Sequence, residues 1–230
     1  MEEIQGPGGI RVPQPKPKKQ TPRRSGRGLR EGRRLRWSSQ DLAYIAVFAA
    51  LIAVSAAVPA IPAGNVLGVP LTIQTLLVIL TGLALGAWRA GAALALYVLL
   101  GVIGLPIFSS FRGGPGILIT AGAGYIVGFI GGALVAGIVA QFLLRRRLPT
   151  IAALFTAAVA GTVVIHVAGI IGMMINGNLS IEAAALIDLV FVPGDLLKCV
   201  LAVVLVLPLH RAFPDLMIRR RPGNLPDLKQ

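Results

Sequence analysis

Charge is what this sequence has least of. Only 13% of its 230 residues are charged, against about 25% in soluble globular chains. Nine Asp and Glu in all are too few for the carboxylate clusters of a two-metal site. Cysteine occurs once, at Cys199 within an apolar run, which excludes a disulfide framework and a thiolate metal cluster. There it reads as a small buried hydrophobe. With two histidines, His166 and His210, no paired-histidine zinc motif and no Ser-His-Asp set of usable spacing can be assembled. No Walker A sequence occurs either, so ATP hydrolysis is excluded for this chain alone. Neither a metal nor a cofactor is expected, and no enzymatic activity.

What fills the chain instead is apolar. Hydrophobic residues make up 55% of it, and the mean hydropathy is +0.79. The 28 glycines follow no collagen-like period and suit close helix packing in lipid. About 20 apolar residues cross a bilayer core, fewer when a helix is tilted or shielded by protein. Spans are expected over residues 42–58, 71–87, 90–104, 117–144, 149–175 and 193–209. A weaker stretch over 179–192, interrupted by Glu182 and Asp188, is read as interfacial or re-entrant. The fold class is therefore an all-α integral membrane protein with six transmembrane helices over residues 39–212, flanked by tails over 1–38 and 213–230.

The net charge of +13 sits mostly outside those spans. The first tail holds Lys16, Lys18, Lys19, Arg23, Arg24, Arg27, Arg33, Arg34 and Arg36 among prolines and glycines. It has too few large apolar residues to bury a core, and disorder is expected. A nucleic-acid arm is weighed against it and set aside, because no aromatic interleaving or reader module accompanies the charges. Anionic lipid headgroups and topology control fit better. With that tail inside, six spans place Arg89, Arg145, Arg146, Arg147, His210, Arg211 and Arg219–Arg221 on the same side, leaving only Arg112 opposite. That is the positive-inside pattern, and it puts both termini in the cytoplasm of a plasma-membrane protein.

Polar residues at membrane depth need a reason. Asp195 and Lys198 stand three apart at the head of the last span, on one helix face. They either form a structural ion pair or jointly face a cavity. Thr72 and Gln74 open the second span, with Tyr97 in the third, Tyr125 in the fourth and His166 in the fifth. A lone histidine in a bundle reads first as a satisfied interhelical hydrogen bond, and tyrosines such as Tyr44 and Tyr125 also suit interfacial anchoring. In the first span Ala46, Ala50, Ala53 and Ala57 form a small-residue seam, for packing within the bundle or against another protein. The loop Gly113-Gly114-Pro115-Gly116 lacks the Lys-Ser/Thr of a phosphate loop and suggests conformational freedom or a close backbone approach.

Four segments occur in order: Val69-Pro70-Leu71-Thr72-Ile73-Gln74-Thr75, YVLLGVIGLPIF over 97–108, the glycine loop before Gly124-Tyr125, and Pro193-Gly194-Asp195-Leu196-Leu197-Lys198. Together they resemble the BioY family, the biotin-binding S components of energy-coupling factor (ECF) transporters, over residues 42–209. The resemblance implies an S-component-like bundle that captures biotin from outside. It also implies partners: a transmembrane coupling subunit and two ABC ATPase subunits. Asp195 and Lys198 are implied as ligand contacts, with Tyr97, Gln74 and Tyr125 at matching positions. Ala46, Ala50 and Ala53 are implied at the coupling-subunit interface. One departure is visible: the family commonly has a Pro-Thr-Gly-Gly-Tyr-like segment where this chain reads Ala121-Gly122-Ala123-Gly124-Tyr125. The competing readings are an S component for another vitamin or small metabolite, a membrane scaffold without a small ligand, and an intramembrane enzyme whose nucleophile is nowhere to be found.

Overall fold

A computed structural model describes residues 37–61, 64–146, 148–213 and 216–217. The basic tail through Arg36, and with it Arg147 and Arg219–Arg221, lies outside the described residues. Among those described, the regular structure is helical apart from two isolated β-bridges.

Helix α1 (Ser39–Val54) opens on a capping box. Ser38 Oγ accepts from the Asp41 N–H at 3.2 Å, and an Asp41 carboxylate oxygen accepts from the Ser38 N–H at 2.8 Å. A 3-10 turn over Ser55–Ala57 continues it, and Val58 then turns extended (φ −76°, ψ 122°), the conformation that the following Pro59 favours. Helices α2 (Gln74–Leu85) and α3 (Ala87–Val102) are joined by Gly86 alone, at φ +74°. Only glycine adopts that conformation freely. A Cβ there would also sit 2.2 Å from Gln141 Nε2. The remaining helices are α4 (Ala123–Arg145), α5 (Thr150–Asn176), α6 (Ile181–Leu189) and α7 (Val192–Ala212). Pro193 occupies the first turn of α7, where its missing N–H leaves no bond unmade.

Two helices begin later than the apolar runs suggest. Leu71 is taken by a bridge to Ile61, with its N–H donating at 2.8 Å and its carbonyl accepting at 2.9 Å, so α2 starts at Gln74. Residues Pro115–Ile119 form a 3-10 turn, and Thr120 is extended, its hydroxyl donating to the Ile117 carbonyl at 2.7 Å. Of the apolar residues 117–119 only Ile117 is buried, while Leu118 and Ile119 are exposed, and α4 begins only at Ala123.

Among the described residues, four helices are long and apolar enough to cross a membrane: α1 with its 3-10 extension, α4, α5 and α7. At 12 and 16 residues, α2 and α3 measure about 18 and 24 Å. The nine residues of α6 are too few to cross. Helix α2 is central, with ten of its twelve residues buried, and it packs against α4 and α7.

The closest helix pair is α4 with α5, and glycine makes it possible. Gly124, Gly128 and Gly132 recur every fourth residue on α4 and meet Gly161, Ile165, Ala168 and Gly172 of α5. A Cβ on Gly124 would come 2.1 Å from the Ala168 carbonyl oxygen, and one on Gly161 would come 2.6 Å from that of Gly132. Backbone therefore lies directly on backbone, the packing that small residues permit in membrane bundles. Ala136 and Ala140 continue the α4 stripe, fully buried.

One end of the bundle is tied by charge. Arg89 at the start of α3 pairs with Asp41 at 2.6 Å and donates to the Leu216 carbonyl at 2.6 Å. His210 Nε2 lies 3.0 Å from the Leu83 carbonyl oxygen, and Gln141 donates to Met217 at 3.3 Å. Arg145 and Arg146, ending α4, fall at this end as well. The starts of α2, α4 and α7 meet at the other end.

Candidate functional site

At that second end lies a partly open cavity with apolar walls and several convergent polar groups, the make-up of a small-molecule site. Its walls come from the segment before α2, the turns between α3 and α4, and the first turns of α4 and α7. Phe108, Ile117, Ile126, Phe129 and Phe191 are among its apolar lining, with Val69, Pro70 and Leu71. Gln74, Thr75, Arg112, Thr120, Tyr125, Asp195 and Lys198 supply polar groups.

Asp195 is the centre of the polar part and is 6% exposed. Its Oδ1 accepts from Lys198 Nζ at 2.7 Å and from Thr75 Oγ1 at 2.9 Å. Lys198 Nζ also reaches Thr75 Oγ1 at 3.0 Å, closing a triangle between α2 and α7. The other carboxylate oxygen, Oδ2, lies 3.3 Å from His166 Nε2 of α5. On the far side of that ring, His166 Nδ1 is 2.8 Å from Asp188 Oδ1, which also accepts from the Tyr125 hydroxyl at 2.6 Å. Six side chains from the five helices α2, α4, α5, α6 and α7 thus form one connected network. A buried carboxylate survives in such a setting because opposite charge and hydrogen bonds surround it.

The two alternatives for Asp195 and Lys198 merge here: they are an ion pair, and that pair is part of a cavity wall. Gln74 and Tyr125 also line the cavity. Tyr97 does not. It is 1% exposed, donates to the Ile107 carbonyl at 3.1 Å, accepts from Gln74 Nε2 at 2.9 Å and stands edge-on to Phe108 at 5.5 Å. It supports Gln74 and Phe108 from behind. His166 has two carboxylate neighbours where sequence suggested one ordinary hydrogen bond.

Several lining residues were not singled out from sequence. Thr75 lies within a quoted motif, and its spacing from Gln74 gave no reason to prefer it. Arg112 was read only as the odd charge of an outer loop; its Nε donates to the Ser109 carbonyl at 3.2 Å, and no acid among the described residues pairs with it. Thr120 precedes Ala121 by one residue and lines the cavity. A hydroxyl is therefore present beside the segment where the Pro-Thr pattern is lost. Within the glycine loop, Gly113 packs where a Cβ would lie 2.3 Å from the Leu105 carbonyl oxygen, and the Gly114 N–H donates to Gly101 at 2.8 Å. Its close backbone approach is to this chain's own backbone.

On helix α1 and its 3-10 extension, Ala46, Ala50 and Ala57 are exposed while Ala53 is half-buried against the core. Most of that seam is left without a partner helix among the described residues.

Comparison with known proteins gives a consistent picture. The model of the BioY family matches residues 29–215. A biotin transporter BioY of Rhodobacter capsulatus is 36% identical over 191 residues, covering 79% of this chain and 98% of the relative. One of Rhizobium etli is 34% identical over 186 residues, covering 79% and 99%. A third, of Thermotoga maritima, is 36% identical over 165 residues, covering 72% and 92%. Among solved structures, the S-component for biotin from an ECF-type ABC transporter superposes with a TM-score of 0.70 at 24% identity, covering 75% of this chain and 91% of that one. The all-helical bundle is thus an S-component fold, and the chain belongs to the BioY family.

Proposed function

We propose that this protein is the biotin-capturing subunit of an ECF-type transporter. The observation that carries the reading is the cavity itself, which combines the Asp195–Lys198 pair, an Arg112 guanidinium that no acid among the described residues pairs with, and aromatic walls. Biotin has matching chemistry: a ureido ring with two N–H donors and a carbonyl, an apolar bicyclic body, and a carboxylate at the end of an aliphatic chain. Lys198 is already engaged by Asp195 and Thr75. Arg112 is the cation left for the carboxylate, and guanidinium suits carboxylate in a two-pronged contact. Asp195 then accepts from the ureido N–H groups, Lys198 serves the carbonyl side, and Tyr125 adds an aromatic edge with a hydroxyl. Gln74 offers its amide oxygen, because its Nε2 already donates to Tyr97 and Ile107. Tyr97 acts by holding Gln74.

Six spans follow if α2 and α3 cross with the others. Their shortness is tolerable because α2 is enclosed by protein, where non-helical backbone at its start need not face lipid. Arg89, Arg145, Arg146 and Arg211 at the bundle end away from the cavity support cytoplasmic termini and a cavity open to the outside. The exposed Ala46 and Ala50, with Ala53 beneath, support α1 as the face for a transmembrane coupling subunit working with two ABC ATPases. Without a nucleophile or nucleotide motif, the chain captures its ligand and takes energy from those partners.

Equilibrium binding of labelled biotin to the purified protein tests this. Saturable binding displaced by unlabelled biotin is expected. No saturable binding, with the scaffold stably folded, would remove the proposal.

A further inference from the structure

Asp188 is buried and His166 half-buried beside the cavity, and neither lines it. Asp188 is 5% exposed on α6, and a carboxylate held in a membrane bundle needs compensation. It receives the single hydrogen of the Tyr125 hydroxyl at 2.6 Å, so that hydrogen is directed away from the cavity. What Tyr125 can still offer a ligand is its oxygen lone pair. The same Asp188 oxygen holds His166 Nδ1 at 2.8 Å, and the opposite ring nitrogen stands 3.3 Å from Asp195 Oδ2. Asp195 is therefore fixed on both oxygens, by Thr75 and Lys198 on one and by His166 on the other.

We propose that His166 and Asp188 are positioning residues that set the hydrogen-bonding polarity of one cavity edge, holding Tyr125 and Asp195 as acceptors and so selecting a ligand edge made of N–H donors. This rests on the biotin reading, since the ureido ring supplies such an edge. A purely structural role would have been filled as well by an apolar pair of similar volume, which in a buried setting is often no less stable. Asparagine at 188 would be a different matter. Its amide can present N–H to Tyr125, turning the hydroxyl hydrogen toward the cavity and replacing an acceptor with a donor.

The test compares biotin with an analogue methylated at a ureido nitrogen, bound to the full-length protein and to Asp188→Asn, His166→Gln and Tyr125→Phe. Loss of one matched hydrogen bond predicts roughly 5- to 10-fold weaker biotin binding in Asp188→Asn. The methylated analogue should weaken less than about twofold, because it already lacks that donor. The preference for biotin over the analogue should therefore shrink, and Asp188→Asn should add little on a Tyr125→Phe background. Equal weakening of both ligands would mean structural support only and overturn the inference. If Asp188→Asn does not fold, His166→Gln supplies the same ratio. A native protein that fails to bind biotin overturns the functional reading and this one with it. A native protein that binds, with variants of unchanged ratio, overturns this one alone.

Discussion

Replacing Asp195 by asparagine separates ligand recognition from structural support at one position. The change keeps the shape and one carbonyl acceptor, and removes the charge that faces Lys198 at 2.7 Å and His166 at 3.3 Å. Removing one partner of a fully buried ion pair costs about 3–5 kcal/mol. The Lys198 side chain is 19% exposed, so water relieves part of that, and about 2–3 kcal/mol of stability is the expected loss. Ligand binding should fall by a similar amount, about 2–3 kcal/mol for a buried charged contact, or roughly 30- to 150-fold in Kd. The two effects part in the double variant Asp195→Asn/Lys198→Met, which has no stranded ammonium. Its melting temperature should return toward the native value while its affinity stays low. Thermal melts in detergent and titration with labelled biotin measure the two quantities. Affinity within twofold of native in Asp195→Asn, or recovery of affinity in the double variant, would refute Asp195 as a ligand contact.

Arg112→Gln should weaken biotin about 10- to 30-fold, as loss of a charged hydrogen bond does, and leave the amide of biotin nearly unaffected; competition binding with both ligands distinguishes the two. Gly132→Val should lower the melting temperature, because its Cβ would lie 2.8 Å from the Gly161 carbonyl oxygen and 2.5 Å from Ile165 Cγ1, overpacking worth about 1–3 kcal/mol. Gly116→Ala, with nothing within 4 Å, is the neutral control in the same melts. Ala46→Leu with Ala50→Leu should leave biotin affinity within about twofold, since both side chains point away from the core. It should reduce uptake in cells that carry a coupling module; unchanged uptake would remove α1 as the docking face.

The helices were legible because hydropathy and proline report burial and termination directly: Pro59 ends α1 and Pro193 opens α7 close to where they were expected. Hydropathy does not distinguish a helix from an apolar turn, which is why residues 117–122 were assigned to a span. The Asp195–Lys198 pair was legible because two charges in an apolar run demand explanation. Arg112 was not, since a charged residue in a loop is ordinary. Asp188 was visible only as an interruption of a weak span. Its link to Tyr125 and His166 joins three separate helices, and no local pattern encodes a contact across 63 residues. Tyr97 matched a family position, yet its 1% exposure places it behind the wall.

The glycine contact between α4 and α5 bears on how a ligand gets in. Where Gly124 meets Ala168 and Gly132 meets Gly161 the two backbones touch directly, which leaves these helices little slack to slide or spread, and they behave as one stiff plate carrying both Tyr125 and His166. Thr75 rides on α2, which Gly82 sets directly on the α4 backbone, where a Cβ would lie 2.7 Å from the Ala133 carbonyl oxygen; Asp195 and Lys198 ride on α7. The molecule is a vice with one fixed jaw. Opening of the cavity then falls to α7 and the turns above it, and the 3.3 Å gap between His166 and Asp195 is where the separation would first register.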